Sequence, residues 1–304
     1  MIIKPRSESL ELKMMRALYA RMSFSAKEET YYLNLEKGYI GEKVFDKRLD
    51  DLSHERLILN DLLLEYNHTL FQIDSLLITS NTIYLFEVKN YEGDFYIEAD
   101  RWYSLSKNEI KNPLLQLQRN ESLFRRLLQD LGFTLPIESY LIFVNPEFQL
   151  YLAPQNLPII FPTQLNRFIS KLNKIPSKLK DTHSKLAEHL LSLHLDESPY
   201  NRLPEYHYSK LKKGIACPNC HKLFDTFIKK VLICHGCGFN EEFYPAVLRS
   251  IEEFRTLFPS SRITTNYIYE WCDIIKTKKT IRKLLSRNFK QIGYGKISYY
   301  SDKD

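Results

Sequence analysis

Long apolar runs are missing from this chain. None of its 304 residues lies in an unbroken apolar stretch near the roughly 20 residues that a membrane-crossing helix needs. The N-terminal stretch has no signal-like apolar core, because Glu8, Glu11, Lys13 and Arg16 interrupt it. Both absences lead us to expect a soluble, cytoplasmic protein. There is no internal repeat and no low-complexity tract. Cysteine is scarce, at five residues, and four of these stand in two close pairs. In a reducing compartment that pattern favours metal over disulfides. Acidic residues are absent between Ile274 and Ser301, a stretch that carries Lys276, Lys278, Lys279, Arg282, Lys283, Arg287, Lys290 and Lys296. The net charge of the whole chain is only +6, so its distribution, not its total, favours a polyanionic partner. What the chain does have is 44% apolar and 13% aromatic residues, enough for the cores of two or three domains.

Residues 1–36 read as an N-terminal helix and extended arm packed on the first domain. A helix is expected from Lys37 to Leu52, with Gly41-Glu42 near its start. Phe45, Leu49 and Leu52 form its apolar stripe, and Glu42 falls on that stripe three residues before Phe45. Strands are expected over 57–66, 70–79 and 82–90, with Ser80-Asn81-Thr82 as the clearest turn. A hairpin follows over 94–97 and 101–105. Pro113 opens a helix that Gly132 stops. Ser139 to Val144 is a further strand, ended by Asn145-Pro146. This order gives an α/β class with a mixed central sheet flanked by helices, and sets a first domain at 37–150. Residues 151–213 form a helical connector, with an amphipathic helix over 177–195 and a polar linker over 196–208. The remaining modules are 214–240 and 241–304.

Pleat alternation puts Ile83, Leu85, Glu87 and Lys89 on one strand face and Tyr84, Phe86 and Val88 on the other. A strand apolar on both faces is central, so Glu87 and Lys89 emerge together at its end. Asp74 takes the equivalent place on the preceding strand, among Ile73, Leu76 and Leu77. Two buried carboxylates side by side repel unless a cation or hydrogen bonds offset the charge. Mg²⁺ or Mn²⁺ suits such oxygen donors. A metal there would stabilise charge on a phosphodiester and acidify a water. Lys89 would orient or deprotonate that water, or stabilise the developing anion. Gln116 shares a helical stripe with Leu123 and Leu127 and faces inward, whereas Gln118 lies with Ser122 and Arg125 on the other side.

Gly41-Glu42, Gln72-Ile73-Asp74, Glu87-Val88-Lys89-Asn90 with Gly93, and Asn112-Pro113-Leu114-Leu115-Gln116 together resemble the nuclease-related domain (NERD) of the PD-(D/E)xK nuclease superfamily. The resemblance spans about residues 35–150. It implies a restriction-endonuclease-like core with Glu42, Asp74, Glu87 and Lys89 as the catalytic site, Gln116 in support, and Asp74 and Glu87 as ligands of Mg²⁺ or Mn²⁺. The chain departs from the superfamily pattern in carrying Ile73 where a proline precedes the aspartate.

Cys217-Pro218-Asn219-Cys220 and Cys234-His235-Gly236-Cys237 are separated by 13 residues. Each pair can wrap a tight turn around a metal, and four thiolates complete a tetrahedron for structural Zn²⁺. The apolar stretches 223–228 and 231–233 suit the hairpin of a zinc ribbon. His221 and His235 adjoin cysteines and are alternative ligands. Cys272 reads as a buried apolar residue. In the basic C-terminal module, a helix over 264–274 and a second one capped by Thr277 suit a helix-turn-helix, with Lys278, Lys279, Arg282 and Lys283 reaching DNA and Gln291 to Tyr300 as a small wing. RNA fits the same charge. The sequence therefore leads us to expect a metal-dependent nuclease cutting DNA, with the alternative of a DNA-binding regulator that keeps a nuclease fold without its activity.

Overall fold

The computed structural model describes residues 1–52, 55–197, 202–275 and 277–303, and only the backbone of Lys296. Lys276, and residues 198–201 of the expected linker, lie outside the described residues. Two compact units emerge, one of Met1–Glu8 with Asn34–Pro199 and one of Ser9–Leu33 with Tyr200–Asp304. The N-terminal arm is thus not a single piece on the first domain. Met14, Ala17 and Leu18 belong to the core of the second unit, and that apolar face determines where the helix carrying them packs.

Eight α-helices occur among the described residues: α1 (Leu10–Tyr19), α2 (Ala26–Asp50), α3 (Pro113–Asp130), α4 (Leu165–Lys174), α5 (Asp181–Ser192), α6 (Phe243–Leu257), α7 (Thr265–Cys272) and α8 (Lys278–Asn288). The first unit contains strands β1 (Ile2–Lys4), β2 (Leu57–Tyr66), β3 (Thr69–Ile78), β4 (Ile83–Lys89), β5 (Gly93–Glu98), β6 (Arg101–Ser104), β7 (Glu109–Ile110), β8 (Ile137–Phe143), β9 (Phe148–Tyr151) and β10 (Ile159–Ile160). The main sheet is mixed, in the order β1-β2-β3-β4-β8-β10, and a smaller sheet runs β7-β6-β5-β9.

β4 is central. It pairs antiparallel with β3 and parallel with β8. Its alternation sends Ile83 and Leu85 into a core with Leu114, Leu117 and Phe124 of α3. Tyr84, Phe86 and Val88 go into a separate core with Phe45 and Leu49 of α2 and Leu165 of α4. The sheet therefore has helices on both faces, and the residues ending β4 come out between them.

Alternation fails in the two neighbouring strands. Leu57, Leu59, Leu62 and Leu64 all enter the core on the α3 side, as do Phe71, Ile73, Leu76 and Ile78. Odd and even residues share a face only if each strand skips a pleat. The break is at one level: Asn60 pairs with Ser75 and Leu62 with Ile73, while Asp61 and Asp74 do not pair. Asp61 has φ 56°, the left-handed region an aspartate tolerates better than most residues. Lys4 Nζ donates to the Asn60 and Asp61 carbonyls at 3.0 and 2.8 Å.

α2 begins at Ala26 rather than Lys37, so Glu42 lies in mid-helix and not near a helix start. The start signal is a capping box. Glu28 N donates to Ser25 Oγ at 3.4 Å, and Ser25 N donates to Glu28 Oε2 at 2.7 Å.

The second unit adds a three-stranded sheet of β11 (Thr226–Ile228), β12 (Val231–Ile233) and β13 (Asn240–Glu242), and a hairpin of β14 (Lys290–Ile292) and β15 (Tyr299–Ser301). Ile251, Phe254, Ile268, Trp271, Ile281, Leu284 and Leu285 form its core with the α1 residues. Arg21 is wholly buried there. It donates to the Lys212 and Gly214 carbonyls, both at 2.8 Å, pairs with Glu253 and lies 3.8 Å over the Trp271 ring. A buried charge with all these partners is tolerable, but with any of them removed it would be costly. No described helix is long and apolar enough to cross a membrane.

Candidate active site and cysteine cluster

Asp74 and Glu87 lie one step beyond Ser75 and Phe86, the last pair of the ladder between β3 and β4. Both are buried, Glu87 almost completely. Asp74 Oδ2 accepts from Val88 N at 2.7 Å, a backbone donor freed where the ladder ends. Lys89 Nζ donates to Glu87 Oε1 at 2.7 Å and to Gln116 Oε1 at 3.3 Å. Gln116 is half-buried and Gln118 exposed, as their helical stripes require. Pro113 at the first turn and an Asn112 side chain accepting from Leu114 N at 2.9 Å set the start of α3, and with it this phase.

Glu42 approaches from α2. Its Oε2 accepts from Arg6 at 2.5 Å. Arg6 also donates to both Asp46 oxygens, at 2.7 and 3.0 Å, and to the Asp74 carbonyl at 2.6 Å. Arg6 therefore ties the α2 acids to the broken pleat. Its position far upstream of every other site residue left no local signal in the sequence. Asn120 was also missed. It is buried, donating to the Gln72 carbonyl at 2.8 Å and to Glu87 Oε2 at 3.4 Å. A polar residue on the stripe of Leu117, Phe124 and Leu127 was the available sign.

The electrostatics are those of crowded acids. Burial, then the charge of Asp74, raises Glu87 to about 7, although Lys89 and Asn120 oppose the shift. Burial and Asp74 likewise raise Glu42 to about 8 against the pull of Arg6. Burial raises Asp74 too, against Lys89 and the Val88 N–H. Burial disfavours the Lys89 charge, yet Glu87 and Asp74 outweigh it and hold the ammonium above its usual range. Glu42, Asp46, Asp74 and Glu87 are four carboxylates against the two cations Arg6 and Lys89, which leaves two negative charges when all are ionised. One hard divalent cation held by Asp74 and Glu87 would offset that deficit, though no three of these carboxylates converge on one point as the four cysteines do.

The second unit holds a different donor set. The Sγ atoms of Cys217, Cys220, Cys234 and Cys237 all lie within 4.8 Å of one another, the one such cluster of three or more metal-ligating side chains among the described residues. Cys217 and Cys237 are 3.7 Å apart, and Cys220 and Cys234 3.5 Å. A tetrahedron with metal–sulfur bonds of about 2.3 Å has edges of about 3.8 Å, so the cluster can hold a metal ion. The two knuckles share one backbone pattern. His221 N donates to the Cys217 carbonyl at 2.9 Å and Gly238 N to the Cys234 carbonyl at 2.8 Å. The fifth residue of each is left-handed, with φ 60° at His221 and 74° at Gly238. His235 instead faces Asp225, at 3.2 Å. Cys272 is buried in the core beside Trp271, outside the cluster.

In the C-terminal part, Thr264 caps α7, Asp273 ends it in the left-handed region, and Thr277 precedes α8. A cleft of about 560 Å³ opens between the first turns of these helices and the β14–β15 hairpin. Lys278, Lys279 and Arg282 line it, with Thr264, Thr265 and Asn266 from α7 and its cap, and Gln291, Gly295, Ser298 and Tyr300 from the hairpin segment. Lys283 is exposed but outside the lining.

Comparison with known proteins adds three findings. No curated protein matches the chain. Among solved structures, the chain is similar to the crystal structure of protein VC1899 from Vibrio cholerae, with 12% identity and a TM-score of 0.27. That similarity covers 51% of this chain and 39% of the other, so the match spans well under half of that protein. The family model of the nuclease-related domain matches residues 37–144, the span that holds Glu42, Asp74, Glu87, Lys89 and Gln116, and this part of the chain is a nuclease-related domain.

Proposed function

We propose that the chain is a metal-dependent nuclease that hydrolyses phosphodiester bonds in DNA, with its second unit holding the substrate. The observation that carries this reading is the Asp74–Glu87 pair, both buried on the neighbouring strands β3 and β4 just past the end of their ladder, with Lys89 against Glu87. A structural ion pair needs one acid, and the second makes the site costly unless a cation joins it. Mg²⁺ or Mn²⁺ held by Asp74 and Glu87 would supply Lewis-acid polarisation of the phosphate and acidify a water.

The protein's own groups have separable tasks. Val88 N fixes one Asp74 oxygen and leaves the other available as a ligand. Asn120 and Lys89 clamp Glu87 from two sides, which orients its carboxylate. Lys89 Nζ, kept protonated by Glu87 and Asp74, stabilises negative charge on a phosphate oxygen rather than accepting a proton. Gln116 steadies that ammonium. Glu42, raised to about 8 by burial and the charge of Asp74, takes the proton of the attacking water at a carboxylate oxygen once it is ionised, so this step favours alkaline pH. Arg6 positions Glu42.

In the second unit we assign structural Zn²⁺ to the four cysteines, since four thiolates leave no open coordination position. We read α7, α8 and the β14–β15 hairpin as a winged helix-turn-helix whose Lys278, Lys279 and Arg282 contact backbone phosphates, with Lys283 at the margin.

The test is a nicking assay on plasmid DNA, with linear DNA and RNA in parallel, in Mg²⁺, in Mn²⁺ and without divalent metal. Wild type should cut only with metal, and Glu87→Gln and Lys89→Ala should not cut. Equal behaviour of wild type and both variants on every substrate would leave the non-catalytic DNA-binding reading in its place.

A further inference from the structure

We propose that the β14–β15 hairpin tip and the adjoining cleft form a binding site for DNA with unpaired bases, at a single strand or a duplex–single-strand junction. This deepens the reading of the second unit as a nucleic-acid-binding module and rests on it. Tyr294 is 90% exposed and Ile297 79% exposed. These are the two most exposed large apolar side chains among the described residues, and both belong to the one hairpin tip. Gly293 and Gly295, with φ 73° and 65°, flank Tyr294. Both are in the region that glycine adopts without strain, so the turn fixes the tyrosine at its apex. A lone exposed apolar side chain is ordinary, but two on one tip beside a cationic cleft make an exposed apolar patch of the kind that marks a binding surface.

Charge identifies the occupant. The cleft beside this tip is lined by Lys278, Lys279 and Arg282 with no acidic residue, and the sequence from Ile274 to Ser301 has none. A polyanion strand in the cleft would run past the hairpin tip. In an intact duplex the faces of the bases are covered by their neighbours, so an exposed ring finds nothing to stack on. An unpaired base offers a free face, and an aromatic beside a cationic groove is the arrangement that holds single strands with little regard to sequence. Ile297 adds a second exposed apolar side chain on the same tip, which suits a base step already opened.

The test uses the full chain and fluorescence anisotropy, in buffer without added divalent metal. The labelled DNAs are a single strand, a blunt duplex, and the same duplex with a single-stranded tail. Wild type should prefer the single strand and the tailed duplex. Tyr294→Ala should weaken both by roughly tenfold and leave the blunt duplex within about twofold, while Tyr294→Phe retains wild-type binding because the ring face is kept. A Lys279→Ala/Arg282→Ala double variant should weaken all three DNAs and flatten the salt dependence. If Tyr294→Ala binds as wild type while the double variant weakens every DNA, the unpaired-base site is wrong and the module reading stands. If the double variant leaves every DNA unaffected, both are wrong.

Discussion

Gly41 of α2 lies against Asn90, just past the end of β4: a Cβ placed on Gly41 would fall 2.5 Å from the Asn90 Cβ and 3.1 Å from its Cγ. Asn90 Nδ2 also donates to the Lys37 carbonyl at 2.8 Å. Glu42, next in sequence, is thus held within the influence of Asp74 and Lys89 by a backbone approach that a side chain would prevent.

Gly41→Ala is expected to work against helix propensity. Alanine in a helix interior is normally better than glycine by up to about 1 kcal/mol. Here the clash must move α2 away from the strand end, so the variant should melt lower than wild type. The nuclease activity proposed above should fall with it, because Glu42 moves with α2. Adding Asn90→Gly removes the opposing Cβ, and thermal melts of both single variants and the double should give a positive interaction between the sites. Additive effects would mean that the contact does not position Glu42.

Arg6 is the residue whose loss should cost most in the first unit. Its guanidinium serves Glu42, Asp46 and the Asp74 carbonyl together, and its side chain is 3% exposed. Arg6→Met keeps much of the volume but strands two carboxylates in a buried setting, a loss of about 3–5 kcal/mol. Arg6→Lys should recover only part of this, because an ammonium cannot span two carboxylates in a fixed fork. Urea denaturation of the three proteins would measure it, and a Lys variant equal to wild type would contradict the bidentate role.

How far the sequence reveals this site depends on the range of each interaction. Glu87 and Lys89 were legible because one strand carries both and apolar residues bracket them. Gln116 was legible from its helical phase, and the cysteine cluster from two short spacings. Arg6 was not, because its partners lie 36 to 68 residues away and an isolated arginine in an N-terminal arm has no pattern. The skipped pleat at Asp61 and Asp74 was hidden for another reason: alternation was assumed regular, whereas Leu59 and Leu62 share a core despite opposite parity. The start of α2 had its own sign, Ser25 three residues before Glu28, which the run from Lys37 overshadowed.

The raised carboxyls give a pH dependence with a definite sign. Glu87 is raised to about 7 and Glu42 to about 8, above the ordinary glutamate value near 4.3. The folded state therefore binds their protons more tightly than the unfolded chain. Their protonation supports folding below about pH 4.3, and the benefit is lost as pH rises through 7 and 8. In buffer without divalent metal, the melting temperature of Glu87→Gln relative to wild type should rise from pH 5 to pH 8, since glutamine carries no ionisation penalty. Saturating Mn²⁺ should raise the wild-type melting temperature at pH 8 and have little effect on the variant. A wild-type minus variant difference that is flat with pH would mean that Glu87 is not raised.

The cysteine cluster makes the last prediction. Two knuckles and three short strands of three residues each bury little apolar surface of their own, so a metal held by the four cysteines would add to the local stability. Purified protein should contain about one zinc per chain. Cys217→Ser and Cys234→Ser remove buried ligands and should lose the metal, whereas Cys272→Ser should keep it, because Cys272 packs beside Trp271 away from the cluster. The loss should spread beyond the ribbon. Cys217, Phe224, Leu232 and Cys234 share one core with Ile251, Phe254 and Trp271, so hydrogen exchange in α6 and α7 should quicken in the metal-free variants. β4 and β8, whose side chains enter the other two cores, should exchange as in wild type. Metal analysis showing full zinc in Cys217→Ser, or unchanged exchange in α6 after zinc loss, would contradict the assignment.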